Sequence, residues 1–419
     1  MRIARQITQK IAWSTAVQYL AKVVQIALGV VTIKWVTNAL GPEAFGQYGK
    51  ILEYTLFFSV AANLGIFGNV VRKMADAPKD GKLFTNALIL KGGLTLIVFL
   101  IGALATLIWN PNPIFIAGML FFMASLFFDQ LTSICNAALQ ANYWMGRSAI
   151  AMTLARVVEL GLAILLAKQS ASMPLFFLAP AGASLVALGL TTFFVRRRFE
   201  LKWVLDKKLI RNLFLTALPF GIINLVNNLY FRFLPSLFMG KALSDEQFSF
   251  YSLSMGITMT ASLFSTFLMF SVLPIFKHSL TEGHKLRAKN MFKLAIIILG
   301  LGALLMIGVG SALAPWTISV VSDASFWQSE IKHLFPLLLV LAGVSYFYDL
   351  ILITIFALEK ELWLLKREGI ALVIGGSIMS LSLLPQTTSA RVTWIIAGAI
   401  IAELFLVTIG MRRIRQWLS

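Results

Sequence analysis

Gln18, Lys22, Gln25, Gly29 and Thr32 recur at steps of four, three, four and three inside one long apolar run. That spacing puts all five on one face of a helix. Gly221, Asn224, Asn228, Arg232 and Ser236 repeat the pattern in the second half of the chain. A third stripe carries Ser125, Asp129, Thr132, Asn136 and Gln140. Ionisable groups at bilayer depth cost several kcal/mol, so they face a cavity or a partner. A cation on a wet helical face can hold an anion, and a carboxylate there can hold a proton or sodium ion. Hydrogen bonding between helices also places Asn, Gln and Thr in membranes. It explains the neutral members of these stripes better than Lys22 or Arg232.

The other basic residues within apolar runs are Lys34, Lys50, Lys91 and Arg156; the acidic ones are Glu53, Asp129, Glu159, Asp349 and Glu403. Arg156 and Glu159 stand at i, i+3, as do Lys50 and Glu53, which allows mutual neutralisation. For Arg156 and Glu159 a structural ion pair is the expectation. Lys34 and Lys91 lie within a few turns of span ends, where snorkelling is expected. Glu403 has no evident sequence partner. Asp129, Asp349 and Glu403 are candidates for proton or sodium coupling, with a purely structural role as the alternative.

The elements that must position these groups are membrane helices. The 419 residues are 58% apolar and 13% charged, against roughly 45–50% and about 25% for soluble domains. The apolar runs exceed the roughly ten alternating residues of a barrel strand, and each is long enough for a helical crossing of ~20 residues. Twelve spans are expected near 11–38, 45–71, 84–108, 113–141, 148–168, 174–195, 209–238, 247–276, 290–314, 331–357, 362–384 and 391–411. The runs at 110–113 and Pro385-Gln386 read as turns. The basic N-terminus leads into a run too long for a cleaved signal, so it reads as a retained first span.

The net charge of +18 sits mainly in alternate loops, which argues for membrane orientation and against nucleic acid. Arg72, Lys73, Lys79, Lys82, Arg147, Lys277, Lys285, Arg287, Lys289, Lys293, Lys360, Lys366 and Arg367 belong to one loop set, as does the run 196–212. Arg2, Arg5, Lys10, Arg412, Arg413 and Arg415 bring both termini to that side. This predicts cytoplasmic termini and an even number of spans. The run 196–212 reads as an anchor along the anionic inner leaflet and as a joint between a lobe of 1–195 and a lobe of 213–419.

The halves look like copies. Ala39, Leu40, Glu43, Phe45 and Tyr48 recur as Ala242, Leu243, Glu246, Phe248 and Tyr251, each 203 residues later. Asp129 and Asp349 each precede an arginine, Arg147 and Arg367, by 18 residues. Parallel repeats of this kind typify transporters that rock two lobes about a central site. No catalytic site is expected. His278, His284 and His333 have no metal-ligand spacing, a P-loop is missing, and Cys135 reads as a packed thiol.

Three segments carry a family resemblance: NALGPEAFGQYGKIL at 38–52, ALPFGIINLVNNLYFRF at 217–233 and VLPIFKHSLTEGHKLRA at 272–288. In these the chain resembles the Wzx-type polysaccharide flippases of the multidrug/oligosaccharidyl-lipid/polysaccharide (MOP) exporter superfamily. The resemblance implies an all-α, MATE-like fold of about twelve helices, in two six-helix lobes forming a V. It implies a multi-pass protein of the bacterial cytoplasmic (inner) membrane, which carries undecaprenyl-pyrophosphate-linked oligosaccharide for surface polysaccharide synthesis. A polysaccharide polymerase and a chain-length regulator are the implied protein partners, with membrane lipids around them. No cofactor is implied beyond proton or sodium coupling. Lys22, Gln25, Lys50, Asn228 and Arg232 are the expected substrate-binding residues. Many relatives carry an acidic residue just after the helix 7 arginine; Leu234 and Pro235 stand there here. A MATE-type drug exporter would share the fold, but would favour carboxylates where span 1 has Lys22. A lipid II flippase usually has two further helices. A membrane glycosyltransferase or polymerase would need a larger extramembrane domain.

Overall fold

The computed structural model describes the backbone of residues 2–77, 79–109, 112–197, 200–281, 285–358, 360–384 and 387–418. Side chains are described for these except 2–16, 19, 109, 267, 270–275, 277, 278, 280, 281, 285 and 418. Several sequence expectations therefore lie outside the described residues: the side chains of Arg2, Arg5, Lys10, Lys277, His278 and Lys285, and all of Asn110, Pro111, Arg198, His284, Pro385 and Gln386. Much of the 272–288 motif does too.

Among the described residues the chain is helical, with no β-strand. The first six expected spans appear as α1 (Arg2–Asn63), α2 (Ile66–Asp76), α3 (Gly81–Trp109), α4 (Pro113–Ala141), α5 (Met145–Lys168) and α6 (Leu178–Arg196). Two spans share α1, which is broken at Gly41 by backbone at φ 71°, ψ 173°. Glycine tolerates that φ, and Pro42 after it cannot donate a helical hydrogen bond. The seventh span is composite: α7 (Lys207–Asn228), a π-helical turn Leu229–Phe233, and α8 (Leu234–Ala242). Then follow α9 (Asp245–Thr281), α10 (Lys285–Ala312), the short α11 (Ala314–Val321), α12 (Leu334–Ala357), α13 (Glu361–Ser380) and α14 (Thr388–Leu418). Nine of the described helical segments are long and apolar enough to cross a bilayer. The first of these, Leu20–Asp76, covers two of the expected spans.

Lipid exposure and helix packing follow residue size. Large apolar side chains such as Leu100, Leu104, Leu304 and Leu305 are exposed, as a hydrocarbon solvent permits. Small residues Ala155, Ala183 and Ala187 are buried together where α5 meets α6, which lets the helices approach closely.

The chain divides into two compact units, 1–224 and 225–419. The division falls later than the 196–212 joint and the second lobe beginning at 213 that the sequence suggested. The reason lies in the first half of α7. Leu213 and Ala217 are buried with Ile66, Val70, Phe84, Ile134 and Val195. The Asn69 amide donates to the Leu213 carbonyl at 2.8 Å and to the Thr216 hydroxyl at 2.7 Å. A Cβ at Gly221 would lie 2.3 Å from the Leu64 backbone, so glycine permits this crossing.

In both units the two aromatic rings of the repeated motif pack on each other, in different geometries. Phe45 and Tyr48 stack with ring centroids 5.6 Å apart; Phe248 and Tyr251 meet edge-on at 5.2 Å. In the second copy Ser244 and Gln247 form a reciprocal capping box at the start of α9: the Gln247 amide N–H donates to Ser244 Oγ at 3.2 Å, and the Ser244 amide N–H donates to Gln247 Oε1 at 3.3 Å.

Candidate substrate and ion sites

In the first unit, α1 turns its polar stripe inward. Gln18, Lys22, Gln25 and Gly29 are half-buried and Thr32 is buried, whereas Leu20, Val23 and Val24 are exposed. Gln25 donates to the Thr153 hydroxyl on α5 at 3.2 Å. Half-buried Lys22 lies within electrostatic reach of Arg156 on the same helix, α5. Arg156 Nη1 is 2.6 Å from Glu159 Oε2, the ion pair that the spacing predicted. Lys22 forms no ion pair among the described residues, so its strongest charged neighbour is a like charge. With Arg156 paired to Glu159, Lys22 leaves one net positive charge at this place between α1 and α5.

Three residues of the α4 stripe are hydrogen-bonded to neighbouring helices. Ser125 and Ser184 hydroxyls lie 3.1 Å apart, and Ser148 donates to the Asn136 side-chain carbonyl at 2.7 Å. Asp129 hydrogen-bonds Ser184 and lies within electrostatic reach of Arg156 and Glu159. Lys50 is half-buried and Glu53 buried on the second part of α1. Tyr48 packs on Phe177 with ring centroids 4.2 Å apart and lies within electrostatic reach of Glu159.

Lys34 is exposed. Lys91 does not snorkel, contrary to the sequence expectation: it is fully buried, and its ammonium donates to the Asn63 side-chain carbonyl at 2.7 Å. Asn63 ends α1 just before Leu64 and Gly65, which have φ of 37° and 72°.

In the second unit, Asn228 and Arg232 are both half-buried, Asn228 at the end of α7 and Arg232 within the π turn. Around this turn a chain of polar groups links α7, α12, α13 and α14. Asn227 donates to the Tyr230 hydroxyl at 2.6 Å. Tyr348 and Tyr230 hydrogen-bond the Glu368 carboxyl. Ser345 donates to Glu403 Oε1 at 3.2 Å, and Asn227 also bonds the Glu403 carboxyl. The second oxygen of each carboxyl, Glu368 Oε2 and Glu403 Oε2, is buried with no hydrogen-bond partner among the described residues. Asp349 is held apart by Ser265 on α9, at 2.5 Å. Among the described residues no cluster of three His, Cys, Asp or Glu has metal-site geometry.

Sequence reasoning found Glu403 but missed Glu368, Tyr230 and Asn227. Glu368 follows Lys366 and Arg367 and so resembled a loop-edge charge. Its place in the second turn of α13, inside an expected span, was the available signal.

A model of the polysaccharide biosynthesis protein family matches residues 7–279, well over half of the chain. The chain belongs to that family. No curated protein matches this family member. Its fold resembles an inward-facing multidrug-resistance MATE transporter of the MOP superfamily, with TM-score 0.73 and 15% identity over 94% of this chain and 95% of that one. It also resembles a Pyrococcus furiosus MOP transporter described by the reverse polarity of its binding pocket, with TM-score 0.69 and 15% identity over 97% and 95%. An outward-facing MATE transporter gives TM-score 0.65 and 16% identity over 97% and 96%. These likenesses show the MOP fold. Family and fold together support a membrane transporter or flippase.

Proposed function

We propose that the protein flips undecaprenyl-pyrophosphate-linked oligosaccharide units across the bacterial cytoplasmic membrane by alternating access, supplying surface polysaccharide synthesis. Both termini would lie in the cytoplasm. The observation that carries the reading is Lys22, half-buried within an apolar helix, with Arg156 in electrostatic reach and no ion pair among the described residues. A pyrophosphate headgroup carries the missing negative charge, and charge-assisted contacts to it are strong in a low-dielectric setting. Gln25, Lys50, Asn228 and Arg232 complete the proposed substrate set, the amides hydrating sugars and the cations meeting phosphate. A polymerase and a chain-length regulator would receive the exported units.

Polarity also separates this reading from cationic drug export. For the Pyrococcus furiosus transporter, reversed pocket polarity is taken to suggest a different function. The same reasoning applies to a stripe headed by Lys22, which repels lipophilic cations. Coupling would fall to the Glu403 and Glu368 carboxyls, whose open oxygens could accept a proton or sodium ion. Asp129 and Asp349, which have no such buried and open oxygen among the described residues, are weaker candidates.

The test is export in cells whose own gene is deleted. Lys22→Ala and Arg232→Ala are expected to abolish surface polysaccharide while membrane levels of the protein stay normal. Normal polysaccharide from both variants would overturn the proposal, and loss of dye efflux with polysaccharide intact would favour a drug exporter.

A further inference from the structure

The segment joining α6 to α7 carries Trp203, Val204 and Leu205 at 67%, 55% and 58% exposure. A cytoplasmic loop in water would not be expected to show three consecutive apolar side chains. This one does not rise away from the helices. It is hooked onto the side of α3, entirely within the first unit. Thr85 donates to the Lys202 carbonyl at 2.6 Å, and the Asn86 amide donates to the Val204 carbonyl at 2.8 Å. Asn86 Oδ1 in turn accepts from the Asp206 N–H at 2.9 Å. Lys82 closes the clip on the Asp206 carboxylate at 2.8 Å. Gly81 permits the close approach, because a Cβ there would meet the Glu200 carbonyl oxygen at 1.9 Å.

These hooks set depth. Asn86 is five residues into α3, about 7.5 Å along its axis at 1.5 Å per residue. It is also inside the apolar run that opens near residue 84. The clip therefore holds Trp203 to Leu205 beside the first turns of α3, where the apolar run begins; tryptophan is enriched at the boundary between headgroups and hydrocarbon. Around them Arg196, Arg197, Lys202, Lys207, Lys208 and Arg211 are exposed. Of the carboxylates nearby, Asp206 is taken by Lys82 and Asp80 accepts from the Lys82 and Leu83 N–H groups at the start of α3, leaving exposed Glu200 against that cluster.

We propose that residues 200–211 form a built phospholipid-binding wedge, in which Trp203 and Leu205 insert into the inner leaflet and the surrounding cations select anionic headgroups. The occupant is the bilayer interface itself. Charge complementarity and the depth fixed by Asn86 both point to it.

The test uses the full-length chain in lipid nanodiscs, with a thiol-reactive, polarity-sensitive fluorophore on Trp203→Cys. Cys135 is fully buried, and the unsubstituted chain serves as the labelling control. Lys79→Cys, in an exposed stretch on the same side, is the comparator. In discs containing phosphatidylglycerol the label at 203 should be quenched by shallow spin-labelled lipid. Iodide quenching should be several-fold weaker at 203 than at 79. Exchanging phosphatidylglycerol for phosphatidylcholine should raise iodide access at 203, and Lys202→Gln/Lys207→Gln/Lys208→Gln should erase that lipid dependence. Asn86→Ala should release the label into water. Equal iodide access at 203 and 79 overturns the wedge, and equal insertion in the two lipids overturns anionic selection. Protection in native membranes but not in discs indicates a protein partner and also overturns the proposal.

Discussion

Lys91 and Asn63 lie 28 residues apart in sequence, yet the fully buried ammonium of one donates to the side-chain carbonyl of the other at 2.7 Å. The bond ties the middle of α3 to the point where α1 ends and the backbone turns through Leu64 and Gly65. An ammonium in this position depends on its acceptor. Asn63→Ala should destabilise the protein by about 1–3 kcal/mol, the usual cost of stranding a buried polar group. Lys91→Met, which removes the charge and keeps the stem, should cost much less. Thermal unfolding in detergent would separate the two, and equal losses would refute the argument.

The crossing of α2 and α7 gives a second prediction. A methyl at Gly221 would stand 2.3 Å from the Leu64 backbone carbon, which no side-chain rotation can relieve. Gly221→Ala should cost about 1–3 kcal/mol by overpacking. Gly68, with open space around its missing Cβ, should tolerate alanine. Melting temperatures of the two variants check this, and a harmless Gly221→Ala would show that the helices can part.

Acid should open the linker clip only at low pH. The Lys82 ammonium and the Leu209 N–H hold the Asp206 carboxyl below its ordinary value of 3.8. A carboxylate lowered on folding stabilises fully above its ordinary pKa and stops doing so as pH falls through the lowered value. Iodide access to a label at residue 203 should therefore stay flat from neutral pH down to 3.8 and rise below it. Asp206→Asn should raise access at every pH. An opening transition centred above 3.8 would contradict this assignment.

Coupling can be probed at the two open carboxyl oxygens of the second unit. Glu368→Gln and Glu403→Gln remove one exchangeable proton site each while keeping their shape. If these groups couple transport, each variant should cut export roughly tenfold or more, a change equivalent to about 1.4 kcal/mol. Asp349→Asn, whose carboxyl has no buried oxygen left open among the described residues, should cut it less. Surface polysaccharide at matched protein levels is the measurement, and full export from both glutamine variants would remove the pair from the mechanism.

What the sequence disclosed follows how locally each feature is encoded. Spans were readable because twenty apolar residues are a contiguous signal. The break at Gly41 was readable because Leu-Gly-Pro is one. The ion pair of Arg156 and Glu159 is set by helical pitch alone. Lys91 was misread because its partner sits on another helix, and nothing in the spacing of α3 points to Asn63. Glu368 was passed over because Lys366 and Arg367 gave its neighbourhood the look of a loop. The joint was placed at 196–212 because the density of positive charge reports which side a segment faces and is silent about which helices it packs against.

The hooks described for 200–206 and for Asn69 together mean that severing the polypeptide there would not free its two parts. Fragments meeting near residue 200 would still be stapled by α3 holding the cut strand and by α2 gripping the start of α7. The longest positively charged stretch is thus a seam inside one body, suited to split-gene complementation.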